Sequence, residues 1–299
     1  MIAFFNDYSG FTFFTDDDPT HGLVTYVPQS QSGDIAFVQS DGTAIMAVDD
    51  TTTLGQGQPR RSVRIQSKAS YSSGLFIADI FAMPHGCATW PAFWMVGPNW
   101  PSGGEIDIIE GVNTNTQNQM TLHTSDGCTL DTSLSRRDEY SASGNGTVKR
   151  AAAFASSVLG TQCASSTSNN NGCAFLDPSD QSYGHGFNDI AGGVFATLLD
   201  DSGVKIWRFS RGSVPADITS QSPDPTTWGT PEAFWSSSTC STQSHFSDMQ
   251  LVFDITLCGD WAGAAFSGAG CGGSCTASVA DPSNFSLAKW KVNYVAVYQ

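Results

Sequence analysis

Glu105-Ile106-Asp107-Ile108-Ile109-Glu110 is the stretch whose reading decides the fold. The chain holds four glutamates among 28 acidic residues, and two of the four stand in these six positions. An isoleucine-rich run bounded by turn residues is the pattern of a buried β-strand. Carboxylates are costly in such a setting unless they are paired, liganded or used in chemistry. Along a strand the side chains alternate, so Glu105 and Asp107 share one face while Ile106 points to the other. Glu110 has the wrong parity for the acidic face. A β-bulge at Ile108-Ile109 restores it, and bulges concentrate where a side chain must be re-aimed.

The next run, Met120-Thr121-Leu122-His123-Thr124, extends the same logic. Met120 and Leu122 take its apolar face, so Thr121 and His123 take the polar one. The short connection 112–119 makes the two strands antiparallel neighbours, which brings His123 to the acidic side in any register. Similar short alternating or β-branched runs recur at 22–27, 62–66, 74–82, 204–209, 250–257 and 290–298, separated by Gly, Ser, Asn, Asp and Pro clusters. Helical periodicity is scarce. The expected architecture is therefore all-β, a jelly-roll sandwich of two antiparallel sheets. No repeat or linker divides the chain, so residues 1–299 are expected to form a single domain. The Ser/Asn/Gly-rich stretch 141–186 reads as a decorated insertion. The final run ties the C-terminus into a sheet.

Composition narrows the partners. With 13 Lys+Arg against 28 Asp+Glu, the net charge is −15. That excludes the basic surface that nucleic acid or an anionic membrane requires. No apolar run is long enough to span a bilayer. The first residues, Met1–Asp7, lack a basic segment followed by a long apolar one, so the expectation is a mature form of a secreted, extracellular protein. The eight cysteines read as four disulfides, with Cys163–Cys173 the best local pair and 105 connectivities formally open. Only Cys271 and Cys275 are closely spaced, and no histidine completes a zinc set, so no metal is expected. Asn145 and Asn284 begin glycosylation sequons. A monomer is expected.

Two glutamates around an aspartate meet the needs of glycoside hydrolysis. One carboxylate attacks or stabilises an oxocarbenium-like centre, the other protonates the leaving oxygen, and an Asp between them pushes their pKa values apart. With the bulge the glutamate Cα atoms lie about 13 Å apart at ~3.3 Å per step. Leaning side chains could close that to a retaining distance, which permits retention without establishing it. A hard-cation site and a solvated polar face are the competing readings of the same three acids. The aromatic surround favours sugar, whose apolar ring faces stack on indoles. Trp94 or its neighbour Phe93 faces the cleft side, Trp100 sits between prolines at a loop tip, and Trp261 lies in a turn that closes a strand.

Glu105–Glu110 resembles the bulged E-x-D-x-x-E signature of glycoside hydrolase family 16 in its laminarinase-like members. The wider stretches Trp90–Trp94, Trp100–Asn113, Asp18–Gly22, Ser62–Ile65, Thr121–Thr124 and Cys258–Gly263 resemble secreted fungal endo-β-1,3(4)-glucanases. The resemblance covers the chain from about residue 18 to its end and is weakest around 130–185. It implies a concave sheet carrying the substrate cleft, retention of configuration and no cofactor. It also implies that Glu105 is the nucleophile, Glu110 the acid/base and Asp107 the residue assisting Glu105. Trp94, Trp100 and Trp261 match sugar-subsite positions, and Arg64 and His123 match substrate or supporting contacts. His21 is expected to shape the fold near the N-terminus. The implied substrate is a β-1,3- or mixed-linkage β-1,3/1,4-glucan. A carbohydrate-binding jelly roll without catalysis, a wall-remodelling transglycosylase and a Ca²⁺-dependent binder are the alternatives.

Overall fold

Strand runs with one apolar and one polar face must bury the apolar faces against each other, and the chain does this with two antiparallel sheets. A computed structural model describes residues 2–4, 7–135 and 152–299. Among them, one eight-stranded sheet runs in the order Ser157–Val158, Cys173–Leu176, Gln119–His123, Glu105–Glu110, Thr89–Val96, Gln250–Leu257, Arg64–Ser67 and Phe11–Phe13. This is the cleft sheet. The second orders Ala233–Ser236, Gly203–Ser210, Gly193–Asp200, Gly74–Ala82, Lys289–Tyr298, Ala44–Ala47 and Ala36–Val38, with Ile2–Phe4 also paired to Lys289–Tyr298. The all-β sandwich read from the alternation is what forms.

The core lies between the sheets. From the cleft sheet come Phe93, Met95, Ile106, Met120, Leu122 and Phe253, all buried. Phe93 stacks on Phe253 at 4.3 Å between ring centroids, and Phe253 meets Trp290 of the opposite sheet edge-on at 5.4 Å. The Trp290 indole N–H donates to Asp254 O at 3.0 Å. That bond satisfies a buried donor and fixes the spacing of the two layers beneath the cleft.

Two features differ from the sequence reading. Gly193–Asp200 is a central strand of the outer sheet, and the 141–186 stretch is more than an insertion. Its described part supplies Ser157–Val158 and Cys173–Leu176 to the cleft sheet and the helix Gly184–Asp189. Asn145 lies outside the described residues, and Asn284 is exposed. The disulfides are Cys87–Cys271, Cys128–Cys240, Cys163–Cys173 and Cys258–Cys275. The expected local pair forms, while the closely spaced Cys271 and Cys275 each bond elsewhere.

Candidate active site

The bulge forms where parity demands it. Against Thr89–Val96, Asp107 pairs with Trp94 and Ile109 with Phe93, so Ile108 has no partner residue across the ladder. Against Gln119–His123, Glu105 pairs with His123 and Asp107 with Thr121, and pairing resumes at Glu110 with Gln119. Ile106, Ile108 and Ile109 are all fully buried in the core. Each contributes about 1.5–3 kcal/mol of apolar burial, which offsets the cost of holding carboxyls on the opposite face.

A bulge leaves backbone groups without ladder partners, and Asn118 satisfies two of them. Its Oδ1 accepts from Glu110 N at 3.0 Å and its Nδ2 donates to Ile108 O at 2.8 Å. Asn118 is fully buried, and its own N–H donates to Ser182 Oγ at 2.9 Å. The preceding turn is equally constrained. Gly104 has φ +82°, and a Cβ there would come within 2.3 Å of His245 O. This glycine turn swings the chain from Thr89–Val96 into Glu105 and presents Trp100 at its tip.

Glu105, Asp107 and Glu110 then stand on the floor of an open cleft of about 1060 Å³. That is the upper end of ordinary ligand pockets and suits an extended oligomer. Trp94, Trp100, Trp261, Arg64 and His123 line the same cleft. The Trp94 indole donates to Asp254 Oδ2 at 3.2 Å. The Arg64 guanidinium lies over the Phe14 and Trp94 rings, 4.4 and 4.9 Å from their centroids. The Trp90 indole donates to Glu110 Oε1 at 2.9 Å, and its ring meets Trp261 edge-on at 5.6 Å.

His123 Nε2 lies 3.2 Å from Asp107 Oδ2, and its Nδ1 is 2.9 Å from Ser165 Oγ. The imidazole thus stands between the aspartate and the loop 159–172. That loop forms one wall of the cleft and is closed by Cys163–Cys173. Replacing both cysteines with serine is expected to cost about 3 kcal/mol, the loop-closure entropy of so short a ring. It should also loosen the wall, raising KM for an oligosaccharide more than it lowers kcat. Thermal melting and steady-state kinetics check both.

The electrostatics follow from crowding in a dry floor. Burial, and then the neighbouring Asp107 charge, push the Glu105 carboxyl up to about 8. Glu110 moves up for the same two reasons, with the Trp90 N–H and His123 pulling the other way. Burial also raises Asp107, and it raises Asp254 to about 7. So many acids cannot all ionise together, and they share protons. Donor atoms of Glu105, Asp107 and His123 lie within 4.8 Å of one another, a set that could take a divalent ion. An ion there would occupy the lone pairs that a nucleophile needs.

The model of the XgeA-like, catalytic GH16 domain matches residues 11–298. This chain belongs to glycoside hydrolase family 16. It is 41% identical over 297 residues to a probable glycosidase of Schizosaccharomyces pombe, covering 98% of this chain and 66% of the relative. It is 41% identical over 304 residues to a probable endo-1,3(4)-beta-glucanase of Aspergillus niger, covering 97% of this chain and 38% of that protein. The chain thus spans between about two fifths and two thirds of these relatives' lengths. Among solved structures it resembles laminarinase 16A from Phanerochaete chrysosporium with 6-O-glucosyl-laminaritriose in both donor and acceptor sites. That match has 40% identity and TM-score 0.87 over 97% of this chain and 95% of that one. It also resembles an elongating family 16 beta-1,3-glucosyltransferase, at 36% identity and TM-score 0.85 over the same shares.

Several residues that line or support the cleft of this family 16 chain carried no signal in the sequence. Asp254 sits in an apolar run and reaches Trp94 across 160 positions. Asn118 reads as a loop residue, and Ser165 is one serine among many. Trp90 was visible only as part of its motif. His21 is exposed on the cleft rim, with Nδ1 2.9 Å from Asp260 Oδ2, beside Trp261.

Proposed function

We propose that this chain is a retaining, endo-acting β-glucanase that cleaves β-1,3 or mixed β-1,3/1,4 linkages. The observation that carries this reading is the bulge-aligned row Glu105, Asp107, Glu110 on the floor of a tryptophan-lined cleft. Among the forms in which these acids share their protons, the reactive one has Glu105 ionised and Glu110 protonated: Glu105 attacks the anomeric carbon while Glu110 gives its proton to the departing oxygen. Glu110 then takes a proton from water, the water oxygen bonds to that carbon, and the Glu105 ester breaks. Asp107, with His123 beside it, adjusts the charge on Glu105 between the two steps. Trp94, Trp100 and Trp261 offer faces for glucose rings, and Arg64 with Asp254 offers polar partners for hydroxyls. These side chains supply the whole displacement without a cofactor. Residues 1–299 act as one catalytic domain, a monomer that works outside the cell, where four disulfides persist.

Parallel digestion of laminarin, lichenan, agarose and xyloglucan tests the reading. Oligosaccharides of intermediate size are expected early from laminarin or lichenan and none from the other two. Binding without any release of reducing ends would sink it. A transferase reading is favoured by the likeness to the elongating glucosyltransferase. Products longer than the donor would establish it, on the same carboxylates.

A further inference from the structure

The proposed mechanism asks Glu110 to hold a proton in one step and to accept one in the next. Its carboxyl must therefore present one chosen oxygen to the sugar in both states. An indole nitrogen is a donor only. Trp90 Nε1 donates to Glu110 Oε1 at 2.9 Å, so that oxygen is an acceptor whether Glu110 is charged or neutral. We propose that Trp90 is the positioning residue of the acid/base: its N–H keeps the mobile proton off Oε1 and so confines it to Oε2. This rests on the assignment of Glu110 as the acid/base.

The surroundings support a built contact. Trp90 and Glu110 are both half-buried, and Trp90 lies on the adjacent strand two positions before Ala92, the residue that pairs with Glu110, so both side chains take the same face. The Trp261 ring meets the Trp90 ring edge-on and holds its plane. Asn118 fixes the Glu110 backbone from the other side. The titratable groups around Glu110 are Glu105 and Asp107 on its own strand, His123 on the next, and Asp254 beyond Thr89–Val96. The Tyr183 phenol lies behind it, packed on Gly111. The three acids oppose ionisation of Glu110, so a directed N–H has a large influence on when it gives up its proton.

During cleavage the Oε2–H bond breaks as the glycosidic oxygen takes the proton and its bond to the anomeric carbon opens. The Trp90 N–H then stabilises the new carboxylate. Deglycosylation reverses the transfer, with water as the proton source.

Trp90→Phe keeps an aromatic ring and removes the donor. The alkaline limb of kcat/KM on laminarin is expected to move up by about one pH unit, since a lost donor disfavours the carboxylate. The rate on laminarin is expected to fall about tenfold, while formation of the glycosyl-enzyme from a dinitrophenyl β-laminaribioside, whose leaving group needs no proton, holds within about twofold. Trp261→Phe, which keeps an aromatic ring against Trp90 and leaves the Trp90 donor, should leave the alkaline limb in place. An unmoved limb in Trp90→Phe, or equal losses on both substrates, overturns the role of Trp90. The acid assignment has its own check. Glu110→Ala should still form the glycosyl-enzyme from the dinitrophenyl glycoside, hydrolyse it slowly in water, and yield a β-glycosyl azide when azide is added. Failure of that outcome removes the acid/base reading itself, whatever Trp90→Phe does.

Discussion

Glu105→Gln is expected to lower kcat on laminarin by about 10,000-fold and at the same time make the protein more stable at neutral pH. The first effect is loss of the nucleophile: an amide of the same shape cannot form the glycosyl ester. The second follows from the site's electrostatics. The folded chain holds the Glu105 carboxyl up to about 8, against an ordinary value of 4.5. Below about pH 4 the carboxyl is protonated in folded and unfolded chains alike, and folding pays no ionisation cost. As pH rises the unfolded chain ionises first, so the folded state loses stability progressively until pH passes about 8. Gln does not titrate and escapes this loss. The variant should therefore melt like the parent at pH 4 and be about 1–3 kcal/mol more stable at pH 8. Melting curves across that range, with kinetics on laminarin, read both effects. Parallel pH dependence in the two proteins would show that the fold does not hold Glu105 protonated. Wild-type activity would remove it from the chemistry.

The same prediction shows which part of the site local sequence could convey. Glu105, Asp107 and His123 were readable because strand parity is a local property. The bulge at Ile108-Ile109 was readable because the pattern fails without it. Buried isoleucines on one side and acids on the other leave one solution, and the register adopts it. The polar supports of the site obey no local period. Asn118 acts through an amide that reaches back ten residues to Ile108, and Asp254 reaches Trp94 over 160. Ser165 meets His123 from a stretch whose composition says only loop. Gly193–Asp200 escaped notice for a different reason. Both its faces are apolar, Phe195 in the main core and Val194 and Ala196 in a second cluster with Trp207 and Ile218, so alternation vanishes. Cysteine pairing was legible only at Cys163–Cys173, where a short loop brings its ends together. Cys87 and Cys271 meet across 184 positions, through the fold itself.

Asn118→Ala is expected to be the most damaging substitution outside the carboxylates. The bulge is useful because it turns Glu110 toward the cleft, but it leaves Ile108 C=O and Glu110 N–H outside the ladder. Both are satisfied by one side-chain amide, at 2.8 and 3.0 Å, in a fully buried position. Alanine removes both partners in a position closed to bulk solvent. At about 1–3 kcal/mol for each orphaned group, the variant should lose about 2–6 kcal/mol of stability. Asn118→Asp separates the two bonds, because a carboxylate still accepts from Glu110 N–H but cannot donate to Ile108 O. It should be no better than alanine, since it also sets a buried negative charge beside Asp107 and Glu110. Where the folded variant persists, Glu110 is no longer held in direction. The expected kinetic signature is a fall in kcat on laminarin with KM nearly unchanged, because the tryptophans that line the cleft stand on other elements. Chemical unfolding together with kcat and KM on laminarin measures both. A variant that unfolds like the parent would mean that the bulge is held by isoleucine packing alone. The acidic row would then owe its alignment to the core beneath it rather than to the amide that stitches its backbone.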